Sequence, residues 1–529
     1  MQSYTIVCAP SKGPSRTFRF NSILWSTESL PIPSWLMLWL LALALLGYIK
    51  YLDLTRDVPP EYLEQQSVVD STRRPKELAV YKSTKLDYSG LRVGLDLRYE
   101  LYKLRNGNLC DVWEIALRVL RERPDRRVCV GRETILLAQL NGHVAVLARR
   151  LRGASELRIP RELFVADPLV LAVVLACFVE RVTVHVGEKK EEREEKEKEK
   201  EKEGVSGGIE KERLDQRGCV FFDGCVFSGA RNGAVRELLR DARPSDRFEN
   251  VYAPEKDRGI ALRVSALRAR GAVSTAFTQG NLVAAVASCI KHLPPAHMLG
   301  ANDRVAIVQD TTSVESTVNG LVKALAALVS QSELFLAQAS SDCWDWRPTV
   351  LLMSAPKARA LLQEAAPALL AQKLGALHRR VSLSRLRLAH AGPRPHPLVR
   401  LLYVHHSVDT AQYFDTRAAC LALGTRVVQE WGYFVAAGPL VVSDVFDVRK
   451  RPDLRVRGFG AVAQSDELKL VHYDGASPGT LCARGYNMGK AKQFLERVGE
   501  NTLAPDEEGF YTLPVQARWG SDGCLYIMG

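Results

Sequence analysis

Hydrophobic residues are distributed unevenly along the chain, and the densest run comes early. Residues Trp35 to Ile49 read WLMLWLLALALLGYI, fifteen apolar residues without a charge. With Ile32 to Ser34 and Tyr51 added, the stretch approaches the roughly 20 residues that a bilayer-spanning helix needs. Trp35 and Trp39 at one end, and Tyr48 and Tyr51 at the other, have the placement of interfacial aromatic anchors. The long polar lead before this run, and the lack of a small-x-small site after Ile49, argue against a cleaved leader. A buried core helix is disfavoured because the run is apolar on every face. The pattern predicts a polar segment over 1–31 and a transmembrane signal anchor over 32–51, with basic residues on both flanks: Lys12, Arg16 and Arg19 before it, Lys50 and Arg56 after it.

Beyond the anchor the pattern changes. Residues 52–100 are polar and mixed, carry Pro59, Pro60 and Pro75, and are expected to be a linker. From there helical and strand periods alternate. Asp111 to Leu120 has helical spacing, whereas Arg127 to Val130 and His143 to Leu147 read as short strands. Val165 to Val186 is long and apolar enough to suggest a second span, but Asp167, Glu180 and Arg181 punctuate it, so a helix followed by a strand is expected. Further strands are expected at Arg304–Val308, Thr349–Met353, Leu401–Val404 and Arg426–Val428. Further helices are expected at Asn281–Ile290, Val318–Leu328, Lys357–Glu364 and Arg417–Leu423. This alternation predicts two layered α/β subdomains with mostly parallel sheets over 101–457. Short strands with Gly and Asp turns then predict a small β subdomain over 458–529.

One tract fits neither period. Glu188 to Glu203 is sixteen consecutive Glu, Lys and Arg residues. It has nothing to bury against its ordering entropy, so 188–213 is expected to be a disordered charged insertion. The G-x-S-G-G at Gly204 to Gly208 trails this tract instead of joining a strand to a helix, and is read as linker, not as a nucleophile elbow.

Composition adds two constraints. The formal charge of +12 and pI near 9.1 come from Arg-rich stretches at 118–127, 149–161 and 379–400, without the aromatic interleaving of a nucleic-acid surface. No nucleic-acid partner is expected; the charge reads as a solvated basic surface, with an anionic membrane face as the competing functional use. The eleven cysteines include no C-x-x-C pair and no zinc spacing. Cys219 and Cys225 read as small buried hydrophobes. The body is expected in a reducing compartment.

Five segments, in order, resemble the adenylate-forming (AMP-binding) superfamily, and within it the long-chain acyl-CoA synthetases. GTLCARGYNMGKAKQ from Gly479 resembles G-E-L-x-x-R-G-x-N-x-x-x-G-Y. DEEGFYTLPVQARWGSDGCLYIMG from Asp506 resembles D-E-D-G-W-F-H-T-G-D-I-G-R-W-x-x-D-G-x-L-x-I-x-G. TQGNLVAAVAS at Thr278 is similar to the helix after the family's phosphate loop. WRPTVLLMSAPKARALLQ at Trp346 is similar to its K-P-T stretch, and VVQEWGYFVAAGP at Val427 sits where the family has V-x-Q-G-Y-G-x-T-E. The matches cover roughly 100–529.

That resemblance implies an adenylate-forming fold and a site for ATP, magnesium and coenzyme A, and the residues at its motifs can be compared one by one. The phosphate loop Y-T-S-G-S-T-G-x-P-K-G matches Ala261 to Gly271, ALRVSALRARG, where Ser265 and Gly271 survive and Arg270 replaces the lysine. Val264 and Leu267 carry side chains where backbone must approach phosphate. Arg263, Arg268 and Arg270 could attract phosphates, and a helical surface explains them equally well. Trp431 and Gly432 keep the aromatic and glycine of Y-G-x-T-E, but Phe434 and Val435 replace the Thr and the magnesium-binding Glu. Leu513, Pro514 and Val515 replace T-G-D and with it the ribose carboxylate.

Two other histidine motifs are read as chance matches. LPPAHM at Leu293 precedes the strand that the family's L-P-L-A-H motif follows, so His297 is expected in a loop. His405-His406-Ser407-Val408-Asp409 has an acyltransferase-like H-x-x-x-D spacing. The sequence ends at Gly529, where the family's hinge begins, so the mobile catalytic subdomain is not expected in it.

No catalytic residue and no metal ligand is therefore assigned. The remnants Trp431, Gly432, Arg270 and Gly271 are the only cofactor-binding candidates, and no cofactor is expected. The expected function is that of a catalytically inactive synthetase-like protein on the cytosolic face of the endoplasmic reticulum or a related endomembrane. Its expected partners are membrane lipid, fatty acid or acyl-CoA, and an active synthetase or other membrane protein. The alternative is an active long-chain fatty acid–CoA ligase using ATP, magnesium and coenzyme A.

Overall fold

The computed structural model describes residues 34–70, 79–87, 90–101, 103–164, 168–187, 219–223, 226–229, 233–250, 252–268, 271–310, 312–339, 341–370, 373–388, 398–407, 413–449, 456–472, 477–495, 499–502 and 504–528. The charged insertion, the Gly204–Gly208 motif and Cys225 lie outside these residues. The chain divides into two units, 1–55 and 56–529.

The first unit contains helix α1 (Ser34–Leu54). Met37, Leu38, Trp39 and Leu40 are consecutive, so they project from different sides of it, and all are more than half exposed. The 20 residues Trp35–Leu54 have a mean hydropathy of 1.8 and are long and apolar enough to cross a membrane.

The second unit alternates strands and helices. In chain order its principal elements are α2 (Leu109–Leu117), β1 (Arg127–Val130), α3 (Leu137–Leu151), β2 (Glu156–Pro160), α4 (Pro168–Glu180) and β3 (Thr183–Gly187). Then come the hairpin β4 (Ile260–Arg268) and β5 (Gly271–Thr278), α5 (Gln279–Lys291), β6 (Arg304–Val308), α6 (Val314–Val329) and β7 (Glu333–Ala337). The series ends with β8 (Val350–Ser354), α7 (Ala355–Leu370), α8 (Lys373–Ser384), β9 (Leu401–Ser407), α9 (Thr416–Leu423) and β10 (Arg426–Gly432).

Strands β1, β7, β6, β8, β9 and β10 lie side by side in that order, all parallel. A second sheet runs β2, β3, β4, β5, parallel until the β4/β5 hairpin. Helices α2, α4, α5 and α6 share one buried cluster with both sheets. This position explains α4: residues Val170 to Phe178 are all buried, because a helix covered on every side needs an apolar surface throughout. A second cluster forms where α7, α8 and α9 cover the other face of the parallel sheet. Capping boxes fix two of these helix starts, Asn108 with Asp111 on α2 and Thr278 with Asn281 on α5.

Three expectations need correction. His143–Leu147 is helical, not a strand. Its apolar residues belong to the i, i+3, i+4 set Leu137, Leu140, Val144, Leu147, Ala148 and Leu151, all buried along α3. The stretch 52–100 is not simply a linker, because Ser67–Val69 and Tyr81–Ser83 pair with each other and Tyr81 pairs with Leu468. The C-terminal strands are not a separate module either. Val441–Val442 joins β10 to Val456–Val462 and thence to the antiparallel strands, while Lys490–Leu495 pairs with β5 of the other sheet.

The seam at Lys490–Leu495 depends on a glycine. A Cβ at Gly489 would lie 2.7 Å from the Phe277 ring and 2.8 Å from the Ala276 carbonyl oxygen. Gly489→Ala should cost about 1–3 kcal/mol through overpacking, read as a lower urea midpoint with an unchanged slope.

Candidate functional site

The carboxyl ends of the parallel strands are where open α/β sheets hold ligands, and Trp431 and Gly432 end β10 there. Trp431 is fully buried and stacks on His406 of β9, ring centroids 4.0 Å apart and planes within 8°. Gly458 lies against the indole, and a Cβ there would come within 1.7 Å of it. Gly432 is closed off by His405, whose Cε1 would be 3.0 Å from an added Cβ. The two remnants are thus neighbours, but both are sealed.

The loop that follows is core. Tyr433, Phe434, Val435, Ala436 and Ala437 are all buried, and the Val435 carbonyl accepts from the Gly489 amide at 2.7 Å. Leu513 and Val515 lie on strand Tyr511–Trp519, whose alternation buries Leu513, Val515 and Ala517 and exposes Thr512, Pro514 and Gln516. At both positions where the resemblance implies a carboxylate, the side chain is apolar and packed inward. Neither offers a ligand to a divalent ion or a ribose.

The phosphate-loop stretch is a regular β-hairpin. Pairing runs unbroken from Leu262↔Phe277 to Arg268↔Gly271, and β4 also pairs with β3. Its backbone amides serve the ladders instead of forming a cradle. Arg263 and Arg268 are therefore on a strand, not on a helical surface. Arg270 lies outside the described residues. Gly271 opens β5, about 20 Å of extended chain from Phe277 and its contact with Gly489. The structure does not bring it to Trp431 through any contact among the described residues.

The H-x-x-x-D histidines are interior residues of β9. His405 is buried, and neither of its ring nitrogens has a hydrogen-bond partner among the described residues. Burial, with Lys323 nearby, holds its pKa down at about 3. Asp409 lies outside the described residues. His297 is in the loop expected for it, edge-on to Phe446. Two cavities reach this end of the sheet, one lined by Gln429, Phe414 and Gly458, the other by Gln309, Asn319, Ser354 and His405. Each leaves about 10 Å³, room for about one water.

Sequence reasoning missed the most heavily buried charges. Lys323 of α6 and Glu430 of β10 form a fully interior ion pair. Asn319 donates to the same carboxylate at 3.2 Å, and the Lys323 ammonium lies 3.8 Å over the Tyr403 ring. Tyr403 in turn meets His292 at 3.1 Å. Burial alone would discharge Lys323, but its neighbours raise its pKa instead. The Cys289 thiol is pushed up to about 11 by burial, so it is neutral at pH 7 and Glu430 is the partner that keeps the lysine charged. A Glu in place of the family's glycine just before Trp431 was visible in VVQEWGY. Its partner, 107 residues earlier, was not.

No protein-family model matches the chain. Solved structures do. O-succinylbenzoate coenzyme A synthetase from Bacillus subtilis, unliganded, superposes with a TM-score of 0.52 at 16% identity, over 78% of this chain and 81% of that one. The same enzyme with ATP and magnesium gives 0.53 at 16%, over 78% of each. ATP-bound MatB from Rhodopseudomonas palustris gives 0.51 at 13%, over 80% and 79%. The chain therefore has the adenylate-forming fold; at these identities the likeness is one of fold. In sequence it is 24% identical over 555 residues to an uncharacterized protein of Saccharomyces cerevisiae, spanning 90% of this chain and 94% of the relative.

Two outcomes follow. Lys323→Met should cost about 3–5 kcal/mol by leaving Glu430 buried and unpaired, whereas Lys323→Met with Glu430→Leu should recover most of the loss in urea unfolding. His405, ordinarily near 6.5, is held near 3 in the fold. The folded state therefore resists its protonation. The stability it contributes is present above about pH 6.5 and is lost as pH falls toward 3. From this residue the protein should lose about 2 kcal/mol between pH 7 and pH 5, and His405→Gln should reduce that loss in pH-dependent unfolding.

Proposed function

We propose that the chain is a membrane-anchored, synthetase-like protein that does not form adenylates and serves as a scaffold or regulator in acyl-lipid metabolism. The observation that carries this reading is the pair of buried apolar side chains, Val435 and Val515, where the family's magnesium and ribose carboxylates would stand. Adenylate chemistry requires opposite charge around a triphosphate and its metal, and removing one such group typically costs around 10²–10³ in rate. The hairpin at 260–278 and the sealed Trp431 add to the case.

Helix α1 supports the anchor, since a single helix with apolar side chains on all sides suits a lipid environment better than water. The likeness to acyl-coenzyme A synthetases in fold, and the motif order in sequence, support a link to acyl-CoA metabolism and its long-chain branch.

The test is ATP–pyrophosphate exchange by the purified full chain with long-chain fatty acids. No exchange above background is expected, and fatty acid or acyl-CoA should leave the melting temperature unchanged. Exchange that disappears on Trp431→Ala would overturn the proposal. Alkaline carbonate should leave the chain in the membrane fraction, and deletion of 34–54 should release it; release of the intact chain would remove the anchor.

A further inference from the structure

Away from the sheet ends discussed above, β2, β3 and β4 place a serine, a histidine and a glutamate in hydrogen-bonded series. Ser265 Oγ lies 3.0 Å from His185 Nε2, and His185 Nδ1 lies 3.2 Å from Glu156 Oε1. The series runs diagonally across three strands. In the ladders His185 stands beside Arg158 and Arg263, and Glu156 stands beside Thr183. Strand alternation puts Leu157, Ile159, Val184, Val186, Leu262 and Val264 into the core, and so turns this polar set to the opposite face. His185 keeps 20% of its side chain exposed and Glu156 keeps 9%.

We propose that Ser265 is a nucleophile, activated by His185 and positioned through Glu156, that accepts the acyl group of an ester or thioester. A hydroxyl, an imidazole and an orienting carboxylate within hydrogen-bond reach are the parts that acyl transfer requires, on whatever fold they occur. Burial raises the Glu156 carboxyl, but the hydrogen bonds from His185 and Arg158 outweigh it and hold it at about 2, so it is ionised at neutral pH. It accepts the Nδ1 proton of His185 and leaves Nε2 free to take the proton of Ser265. Ser265 donates to the Ser274 hydroxyl at 3.0 Å, and its hydroxyl rotates onto His185 Nε2, also at 3.0 Å, to pass the proton. Among the described residues, a Cβ at Gly187 beside the relay would meet only His185 Nε2, at 3.9 Å.

The steps balance. The Ser265 oxygen forms a bond to the carbonyl carbon as its proton passes to His185 Nε2, and the carbonyl π pair moves onto oxygen. Backbone amides here are committed to the ladders, so the oxyanion must be met by side chains. Arg263, two residues from Ser265 on the same face and 3.5 Å from Glu156 Oε2, supplies positive charge beside the site, and Arg158 stands across His185 with its Nε 2.9 Å from Glu156 Oε1. Collapse breaks the bond to the alcohol or thiol, which takes the proton from His185 and leaves acyl-Ser265. Water repeats the sequence and releases the acid.

This proposal does not depend on the adenylation reading: Ser265, although it falls in the phosphate-loop match, acts here through His185 and not through a nucleotide. The experiment treats the folded full chain with a fluorophosphonate probe, maps the adduct by mass spectrometry, and follows release of p-nitrophenol from p-nitrophenyl butyrate. The expected adduct is on Ser265, absent after Ser265→Ala and from urea-denatured chain. His185→Gln should slow labelling about 10²–10⁴-fold. Glu156→Gln should slow it less at an unchanged urea midpoint, and Glu156→Asp should restore part of the rate; a purely structural Glu156 would show its effect in the urea midpoint and leave the labelling rate of the folded chain in place. No adduct on the folded wild-type chain, an adduct on another serine, or equal labelling after denaturation would overturn the proposal.

Discussion

The ion pair between Lys323 and Glu430 is the interaction on which the packing around the sheet ends depends. Helix α6 lies in the layer shared by the two sheets, where almost every side chain is buried. A lysine there is tolerable only against a carboxylate, because an isolated charge in that layer would cost several kcal/mol. Glu430 supplies the carboxylate from the strand that ends in Trp431 and Gly432. Helix α6 is thereby tied to β10 in one register, and Tyr403 and Asn319 close the remaining polar positions around the pair.

From that fixed strand end, the rest of the region is apolar packing. Trp431 turns inward onto His406 and Gly458, Phe434 and Val435 continue the core, and Val515 approaches it from the alternating strand 511–519. In an adenylate-forming fold this is the part of the molecule where charge would have to be held in a water-accessible cleft. Here Trp431, Phe434, Val435 and Val515 are buried apolar side chains, and such burial stabilises a fold at roughly 25 cal/mol per Å² of apolar surface removed from water. Filling such a crevice and keeping it open for a nucleotide are mutually exclusive uses of the same side chains.

The hairpin β4–β5 shows the same trade on the backbone. A phosphate cradle needs amides free of sheet pairing, and residues with side chains as large as Val264 favour a strand instead. Once the strand formed, its polar residues alternated onto one face. Ser265 came to stand beside His185, and His185 beside Glu156, although 80 and 29 residues separate the pairs in sequence. Those three residues carried no recognisable spacing, and only strand pairing aligned them.

Local pattern alone determined much of this protein. The all-apolar run of α1, the strand and helix sequence from Arg304 to Gly432, and the order of the degenerate motifs were legible because periodicity and composition are properties of neighbouring residues. Where the period was short or shared, as at His143–Leu147 and 52–100, packing partners decided the outcome, since a half-turn of apolar residues suits either structure. That Val435 and Val515 are apolar could be read from the sequence, but that both are buried could not. That fact, the pairing of Lys323 with Glu430, and the Ser265–His185–Glu156 series required the tertiary structure. Burial and electrostatic contact depend on distances in space, and positions far apart along the chain do not encode them one by one.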